Sequence, residues 1–422
     1  MPNIFSSADI LLPKHRFGND SDKFPVIACD QFTGEKAFWS ECEKFIGTST
    51  SSLHLILPEA FLNESAERIP MIEKKMEEYC DTQLEVFENS MIYVRRTQPD
   101  GRVRCGLVGK IDLAYYDFKE DSSSLIRPTE QTVLERIPPR VKIRENALLE
   151  LPHVMLLLDD INKSVIEPLE EKFDSFEKAY DIELMMGAGH VEGYFVSRSE
   201  IRRIYALLAR YSTQNYAEKY YAKKGIKPLL FAVGDGNHSL ATAKAIYQQA
   251  KELYGKAAKK MPCRYALVEF VNLYSDALDF EPIYRTVECP DSDTLIELNV
   301  FIKEKLSQQF GEEEPYDITL VNCGKEEIFH VDAPSKKLPV ALIQEILDDF
   351  VSTHNDCVID YIHGEDSLKN LSMGNTLGIL FKGMSKNDLF NGIMSDGVLP
   401  RKTFSMGHAL DKRHYLEARK IK

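Results

Sequence analysis

The residues best suited to chemistry lie in one short polar turn near the middle of the chain. An apolar run over residues 229–233 predicts a buried strand, and the small and apolar residues from Leu240 onward predict a helix. Between them lie two glycines and four polar residues: Gly234, Asp235, Gly236, Asn237, His238 and Ser239. A helix N-terminus offers free N–H groups and the positive end of the helix dipole, so this turn is typical of a phosphate or carboxylate site.

The side chains of the turn allow more than one interpretation. Asp235 either binds Mg²⁺, orients His238 or accepts hydrogen bonds from the amides of the turn. His238 either donates to a phosphate oxygen or packs at the start of the helix. Asn237 fits a helix N-cap, so the bland alternative is an ordinary strand–turn–helix corner. Four polar groups converge where a cap needs one, which favours the ligand site.

A carboxylate and a basic stretch precede this turn in the chain. Glu130 follows Thr129 and is a candidate base or metal ligand, although the neighbouring threonines also fit the start of a helix. Residues 136–144 carry four cations, including Arg140, against the acidic background. They suit a small anionic ligand, or they are ordinary surface charges at a helix start.

A second basic segment lies near the C-terminus, where Arg401 and Lys402 precede Thr403. Two cations beside a hydroxyl are suited to a phosphate, and the alternative is a solvated basic tail. Lys402 is therefore a candidate phosphate ligand.

Composition excludes several classes of protein. The 422 residues are 44% hydrophobic and 28% charged, which is ordinary for a globular protein, and the net charge of −14 argues against a nucleic-acid binder. No apolar stretch approaches the roughly 20 residues of a membrane helix, and the first residues lack a secretory signal. Eight cysteines without a CxxC pair indicate reduced thiols, so we expect a cytoplasmic protein that contacts no membrane. GxSxG, Walker A and GxGxxG sequences are absent, which leaves hydrolase, P-loop and Rossmann interpretations without support.

The pattern of apolar residues predicts an α+β fold. A hairpin is expected between residues 91–97 and 102–111, since Pro99-Asp100-Gly101 separates two alternating runs. Residues 53–57 read as a strand, and residues 165–179 and 198–222 as long helices. Strands and helices alternate without a sustained βαβ rhythm, which favours a mixed sheet with hairpins and flanking helices over a doubly wound sheet.

The turn also resembles a known family signature. Asp235-Gly236-Asn237-His238 is similar to the DGHHR sequence of the uncharacterised family called domain of unknown function 1015. Other segments resemble that family in the same order: residues 26–30 (VIACD), 55–59 (LILPE), 128–132 (PTEQT, with Arg140 after it), 280–285 (FEPIYR) and 399–403 (LPRKT).

The family signature is in turn distantly similar to that of the ParB/sulfiredoxin superfamily, which includes partition CTPases, sulfiredoxin and free-serine kinases. This resemblance implies a ParB/sulfiredoxin-like core over residues 1–290, with a smaller C-terminal α/β part over residues 291–422 packing on it. It also implies a nucleotide-phosphate pocket at the turn. The chain departs from the signature because Asn237 replaces a histidine and Ser239 replaces an arginine, and a guanidinium is not easily replaced in phosphate binding.

The resemblance implies nucleotide-dependent phosphoryl transfer to a small metabolite, with serine or phosphoserine as first candidates. Expected cofactors are Mg²⁺ and ATP or ADP. Glu130, Asp235 and His238 would be catalytic, with Asp235 as the metal ligand. The phosphate ligands would be Gly234, Gly236, Asn237, Ser239, Arg140 and Lys402. Asp30 and Glu35 are alternative carboxylates, since free-serine kinases place their base early in the chain. A non-catalytic nucleotide or metabolite sensor is the alternative to a kinase or phosphotransferase, and the oligomeric state stays open.

Overall fold

A computed structural model describes residues 3–119, 122–132, 137–336, 338–395, 397–400 and 402–422. The chain forms two compact units. Unit 1 comprises the residues up to Leu278 together with His408–Lys422, and unit 2 comprises Asp279–Gly407. The domain boundary expected at residue 290 stays a prediction. Arg136 and Arg401 of the two basic segments lie outside the described residues.

The helices and strands alternate irregularly along the chain. The α-helices are α1 (Lys36–Ile46), α2 (Ser65–Thr82), α3 (Ile137–Arg144), α4 (Arg198–Tyr211), α5 (Gln214–Tyr220), α6 (Asn237–Tyr254), α7 (Ser292–Ser307), α8 (Pro339–Thr353), α9 (Glu365–Leu371) and α10 (Lys386–Ser395). The strands are β1 (Phe5–Ser6), β2 (Ala8–Pro13), β3 (Val26–Ile27), β4 (Leu84–Ser90), β5 (Ile92–Thr97), β6 (Val103–Asp112), β7 (Ile126–Pro128), β8 (Leu149–Glu150), β9 (Met155–Leu158), β10 (Glu177–Leu184), β11 (Gly189–Phe195), β12 (Phe231–Asp235), β13 (Tyr265–Asn272), β14 (Phe280–Glu288), β15 (Tyr316–Asn322), β16 (Lys325–Val331), β17 (Val358–His363), β18 (Thr376–Phe381), β19 (Phe404–Met406), β20 (His414–Tyr415) and β21 (Arg419–Lys420).

Unit 1 is built around a mixed sheet of order β10-β11-β5-β6-β13-β9-β12-β7, with β1 added at β6. Most neighbours are antiparallel, but β13 with β9 and β12 with β7 are parallel. The central strands are buried on both faces, and the aromatic rings of Phe5, Phe231 and Phe270 pack against one another in the core. This buried sheet fixes the position of the β12–α6 turn.

Unit 2 contains its own sheet of order β16-β15-β18-β14-β17, with β19 paired to β14. Helix α7 packs on α8, and α9 packs on β14, β17 and β18. Leu347 on α8 and Leu377 on β18 are fully buried, as expected for a separate core. Both units mix sheets and helices, so the predicted α+β class is confirmed.

Several local predictions are confirmed and others are wrong. The hairpin is present as β5 and β6, paired from Ile92↔Val108 to Thr97↔Val103. Residues 53–57 form a 3₁₀ turn (Ser52–Leu55) and not a strand. The helix expected over 165–179 is wrong, because that segment holds two short 3₁₀ turns and the start of β10. The long helix expected over 198–222 divides into α4 and α5 at Ser212 and Thr213.

Residues 185–188 connect β10 to β11, with Met186 and Gly187 at positive φ in the tight connection. No helix in the described part of the chain is long and apolar enough to cross a membrane.

Candidate functional site

The turn between β12 and α6 is positioned by strands on both sides of β12. β12 runs antiparallel to β9 and parallel to β7, so it is paired on both sides, and Asp235 lies at its carboxyl end. Gly236 precedes the helix at φ 77°, a left-handed conformation that favours glycine. A Cβ at Gly236 would lie 3.0 Å from the Cα of Val154 and 3.2 Å from the ring of His153. The glycine therefore allows both the tight turn and its close approach to the segment before β9.

Asp235 forms two contacts, one within the turn and one with the C-terminal segment. Its Oδ1 accepts the N–H of Gly236 at 2.9 Å, and its Oδ2 pairs with Nζ of Lys412 at 3.2 Å. The first contact is the turn-amide role considered from the sequence. The second brings to the turn a cation that the sequence analysis missed, because nothing local links residue 412 to residue 235.

Ser239 lies in the first turn of α6 and contacts a histidine far away in sequence. Its Oγ is 3.0 Å from Nε2 of His153, and Nδ1 of His153 is 2.6 Å from the hydroxyl of Tyr415. The Tyr415 oxygen accepts the N–H of Cys29 at 3.1 Å, and its proton is directed to Sγ of Cys29 at 3.1 Å. Because the Tyr415 proton is directed to Cys29, Nδ1–H of His153 donates the hydrogen bond between His153 and Tyr415. Nε2 of His153 is then the acceptor for the hydroxyl of Ser239.

Tyr415 and Cys29 are held in their neutral forms. Burial, reinforced by the charge of Asp30, raises the pKa of Tyr415 well above its usual value of 10.0. Burial, followed by the charge of Asp30, raises the pKa of the Cys29 thiol to about 12. These shifts keep the hydroxyl protonated and so preserve the donor pattern around His153.

Asp30 provides a carboxylate beside this network. One of its oxygens is 3.8 Å from Nε2 of His153. Burial pushes the pKa of Asp30 upward, but His153, a hydrogen bond from Gln31 and the charge of Lys412 outweigh that effect and lower it. Asp30 is therefore ionised at neutral pH, and Lys412 acts on both Asp30 and Asp235.

A cavity of about 160 Å³ opens beside Ser239. Its polar lining includes Ser239, His153, Tyr415 and Arg140. Most of the remaining wall is apolar: Leu55, Leu57, Leu62, Met76, Ile143, Ala147, Leu149, Val154, Leu240, Ala243, Ala266 and Leu267. An engineered cavity of roughly 150 Å³ holds benzene, so this space fits a small metabolite.

Arg140 reaches the same cavity from α3, which packs on α6. Its guanidinium pairs with Glu59, and both side chains are largely buried. Arg140 therefore brings its charge to the site together with a matching carboxylate.

Glu130 and the remaining residues of the turn lie close to the end of β12. β7 pairs with β12 up to Pro128↔Val233, and Oγ1 of Thr129 donates to the carbonyl of Val233 at 2.8 Å. Glu130 therefore lies at the same end of the sheet as Gly234, just after the carboxyl end of β7. His238 is half-buried. Asn237 is 6% exposed, and its Oδ1 has no hydrogen-bond partner in the described part of the chain.

Lys402 belongs to unit 2. Its carbonyl accepts a hydrogen bond from Arg285 at 3.0 Å, and its φ is 56°. The structure thus gathers the six residues 234–239, Glu130 and Arg140 in unit 1, and it places Lys402 in unit 2. No group of three or more His, Cys, Asp or Glu side chains within the described ranges forms a metal site.

A family model described as "Protein of unknown function (DUF1015)" matches residues 11–350. The chain belongs to the DUF1015 family. The match spans most of unit 1, including the β12–α6 turn, and continues into unit 2. A comparison of this DUF1015 chain with curated proteins finds no match.

Solved structures similar to the DUF1015 chain include free serine kinases. A mutant free serine kinase in complex with ADP is 13% identical, with a TM-score of 0.36 and coverage of 76% of this chain and 93% of that chain. A free serine kinase in complex with AMP is 12% identical (TM-score 0.35; coverage 74% and 90%). A C-terminally truncated SbnI from Staphylococcus aureus is 10% identical (TM-score 0.35; coverage 71% and 82%). Likenesses at this level carry no argument about activity.

Proposed function

We propose that this protein binds a nucleotide through its phosphates at the β12–α6 turn and transfers a phosphoryl group to a small metabolite. The observation that carries the proposal is the convergence of the N-terminus of α6, Lys412 and two carboxylates, Asp30 and Asp235, beside one cavity. Phosphoryl transfer needs a phosphate cradle, positive charge and a carboxylate that takes the proton of the acceptor.

The phosphate cradle consists of the first backbone N–H groups of α6 together with Lys412. Gly236 allows the tight turn against Val154 and His153 from which α6 starts, and Asn237 offers a buried oxygen that a ligand hydroxyl or ammonium group can satisfy. We assign His238 as a hydrogen-bond donor to a phosphate oxygen. Lys402, in unit 2, is not needed for this cradle.

The metabolite occupies the cavity lined by Ser239 and His153. Serine and phosphoserine are the first candidates, because the space fits a molecule of about that size. Asp30 is assigned as the base because it is ionised and lies beside His153, and Glu130 is the alternative at the neighbouring strand end.

Mg²⁺ is part of this proposal. Magnesium is commonly held by one or two carboxylates together with substrate phosphates, so Asp235 at the end of β12 is the carboxylate assigned to the ion. When bound, the ion would neutralise charge on the phosphates of the nucleotide.

The test is a thermal-shift screen of the full-length protein with ATP, ADP, CTP, serine and phosphoserine, each with and without Mg²⁺. A ligand at about 100 times its dissociation constant stabilises by roughly 2.7 kcal/mol, which is readily visible. We expect a nucleotide shift that Lys412→Ala and His238→Ala remove and that Lys75→Ala, an exposed cation on α2, leaves intact. A screen in which every nucleotide is silent would refute the proposal.

A non-catalytic sensor is the second candidate. It is favoured by Ser239, which stands where the family signature has an arginine, and by Arg140, whose charge is already matched by Glu59. Nucleotide binding without turnover, unchanged by Asp30→Asn and Glu130→Gln, would identify the sensor.

A further inference from the structure

Ser239 is the one residue of the turn shown above to line the cavity and to contact a histidine. It lies in the first turn of α6, where phosphates are expected, and it also lines the cavity assigned to the metabolite. Its Oγ is 3.0 Å from Nε2 of His153, a normal distance for a hydroxyl–imidazole hydrogen bond. A serine paired with a base in this way is the arrangement of an activated nucleophile.

The surroundings of His153 suit a general base. The residue is 7% exposed, and the Tyr415 contact on Nδ1 directs the lone pair of Nε2 to Ser239. Asp30, 3.8 Å from Nε2, stabilises the imidazolium that forms when the proton of Ser239 is transferred. A ring nitrogen that can accept the proton and a nearby carboxylate are both needed for this task, and both are present.

We propose that Ser239 is a catalytic nucleophile that carries the phosphoryl group from nucleotide to metabolite as a phosphoserine. This role rests on the proposed function and specifies how the transfer is divided into two steps. A phosphate on Ser239 would lie at the N-terminus of α6, where the helix dipole and free N–H groups stabilise negative charge.

In the first step, Oγ of Ser239 attacks the terminal phosphorus of the nucleotide and its proton passes to Nε2 of His153. The bond from phosphorus to the bridging oxygen breaks, and its electron pair leaves with the shortened nucleotide. In the second step, the metabolite hydroxyl attacks the phosphoserine and gives its proton to Asp30. The bond between phosphorus and Oγ breaks, and Oγ recovers the proton held by His153.

Two features of the structure favour transfer in two steps through Ser239, which we call the relay. The cavity of about 160 Å³ is assigned to the metabolite and the N-terminus of α6 to the phosphates of the nucleotide, so the two ligands have separate places. Ser239 belongs to both the turn and the cavity wall, so it can accept from one side and donate to the other.

The experiment uses the full-length protein, Mg²⁺ and no metabolite. The nucleotide that gives the largest thermal shift among ATP, ADP and CTP is supplied with a labelled terminal phosphate, and the acid-quenched protein is assayed for bound label. In parallel, the shortened nucleotide is supplied with a label in its base, and the transfer of that label into the longer nucleotide is followed as exchange. We expect label on the peptide that contains Ser239, together with exchange, since the first step needs no acceptor.

Matched variants show whether Ser239, and not a neighbouring residue, receives the phosphoryl group. Ser239→Ala should abolish labelling and exchange, and Ser239→Thr should restore part of both because it keeps a hydroxyl. His153→Gln should slow labelling by roughly 10²–10⁴-fold. Ser212→Ala removes a half-buried serine from a different cavity and should label like the parent. Melting temperatures of all variants show whether a loss of labelling reflects unfolding.

The outcomes distinguish this role from the proposed function. Label that persists in a folded Ser239→Ala variant, or label on another residue, would overturn the relay. Nucleotide-dependent phosphorylation of free serine, without labelling of the protein and without exchange, would also overturn the relay. It would leave direct phosphoryl transfer from nucleotide to serine intact. Absence of any nucleotide shift would overturn both.

Discussion

His414 illustrates how a single buried residue makes stability depend on pH. It lies beside Tyr415 at the end of the segment that carries Lys412, and its ring nitrogen Nδ1 is 3.2 Å from the carbonyl of Lys412. Burial, then the charges of Arg96, Arg104 and Arg413, lowers the pKa of His414 well below 6.5. The folded protein therefore keeps this imidazole neutral.

This shift predicts a loss of stability in mild acid. Below about pH 6.5 the unfolded chain binds a proton at His414 that the folded chain does not, so stability falls from there toward the native pKa. The free energy of unfolding should decrease by roughly 1.4 kcal/mol per pH unit from this residue. Urea denaturation between pH 7.5 and 5 should show a shallower slope in His414→Gln than in the parent.

His15→Gln, at an exposed position, is the control and should keep the slope of the parent. Equal slopes in the parent and in His414→Gln would show that His414 is not the group responsible. Baseline stabilities of the variants need not agree, because only the pH dependence is compared.

The residues of the site differ in how visible they are in the sequence. Gly234 to Ser239 are adjacent, so a strand-to-helix pattern reveals them as a group. His153, Lys412 and Tyr415 have no such pattern, since each gains its meaning only from a partner more than eighty residues away. Asp30 was recognised as an alternative carboxylate, but its pairing with His153 was not.

The junction between β12 and α6 is an element whose geometry depends on Gly236. Both ends of α6 carry a glycine at positive φ: Gly236 at the start and Gly255 at the end. Only at Gly236 would a Cβ meet neighbouring atoms, those of Val154 and His153. Substitution at Gly255 would therefore introduce backbone strain alone, whereas substitution at Gly236 would introduce the same kind of strain and also disturb the site.

Gly236→Ala should lose nucleotide binding, whereas Gly255→Ala should retain it. Each substitution places an alanine at positive φ and should reduce the free energy of unfolding by about 1–3 kcal/mol. Thermal shift with the nucleotide identified by the screen, and urea denaturation, measure the two effects. Retained binding in Gly236→Ala would show that the turn does not contact the nucleotide.

Elements with a strong local pattern were predicted well. The β5–β6 hairpin has alternating apolar residues and a Pro-Asp-Gly turn, and its register follows from them. Residues 165–179 were misassigned because apolar residues there recur at helical spacing by chance, while Glu177–Leu184 pairs with β11. Pairing with a distant strand outweighs local spacing, and the sequence of the segment does not contain its partner.

The two compact units make the molecule suitable for a site-resolved unfolding experiment. Trp39 is the single tryptophan, and it is fully buried in unit 1. Its fluorescence therefore reports unit 1, whereas far-UV circular dichroism reports both units. Phe270 and Leu347 are fully buried core residues of unit 1 and unit 2.

We predict that the two units unfold in separate transitions. Phe270→Ala should lower the midpoint of the Trp39 fluorescence transition, because a large core truncation costs about 3–5 kcal/mol. Leu347→Ala should leave that transition unchanged and shift a second transition seen by circular dichroism. If both substitutions move the fluorescence midpoint equally, the chain unfolds as one cooperative body.

The order of the residues is sufficient to specify the α+β class, the hairpin, the β12–α6 turn and the membership of the DUF1015 family, because each depends on neighbours a few residues apart or on a linear signature. The Ser239–His153–Tyr415 network, the Lys412 contact with Asp235 and the cavity exist only in the folded chain. These contacts join segments that β-sheet pairing and core packing bring together across the sequence. Hydrogen bonding and charge act over a few ångströms in space, whatever the separation along the chain.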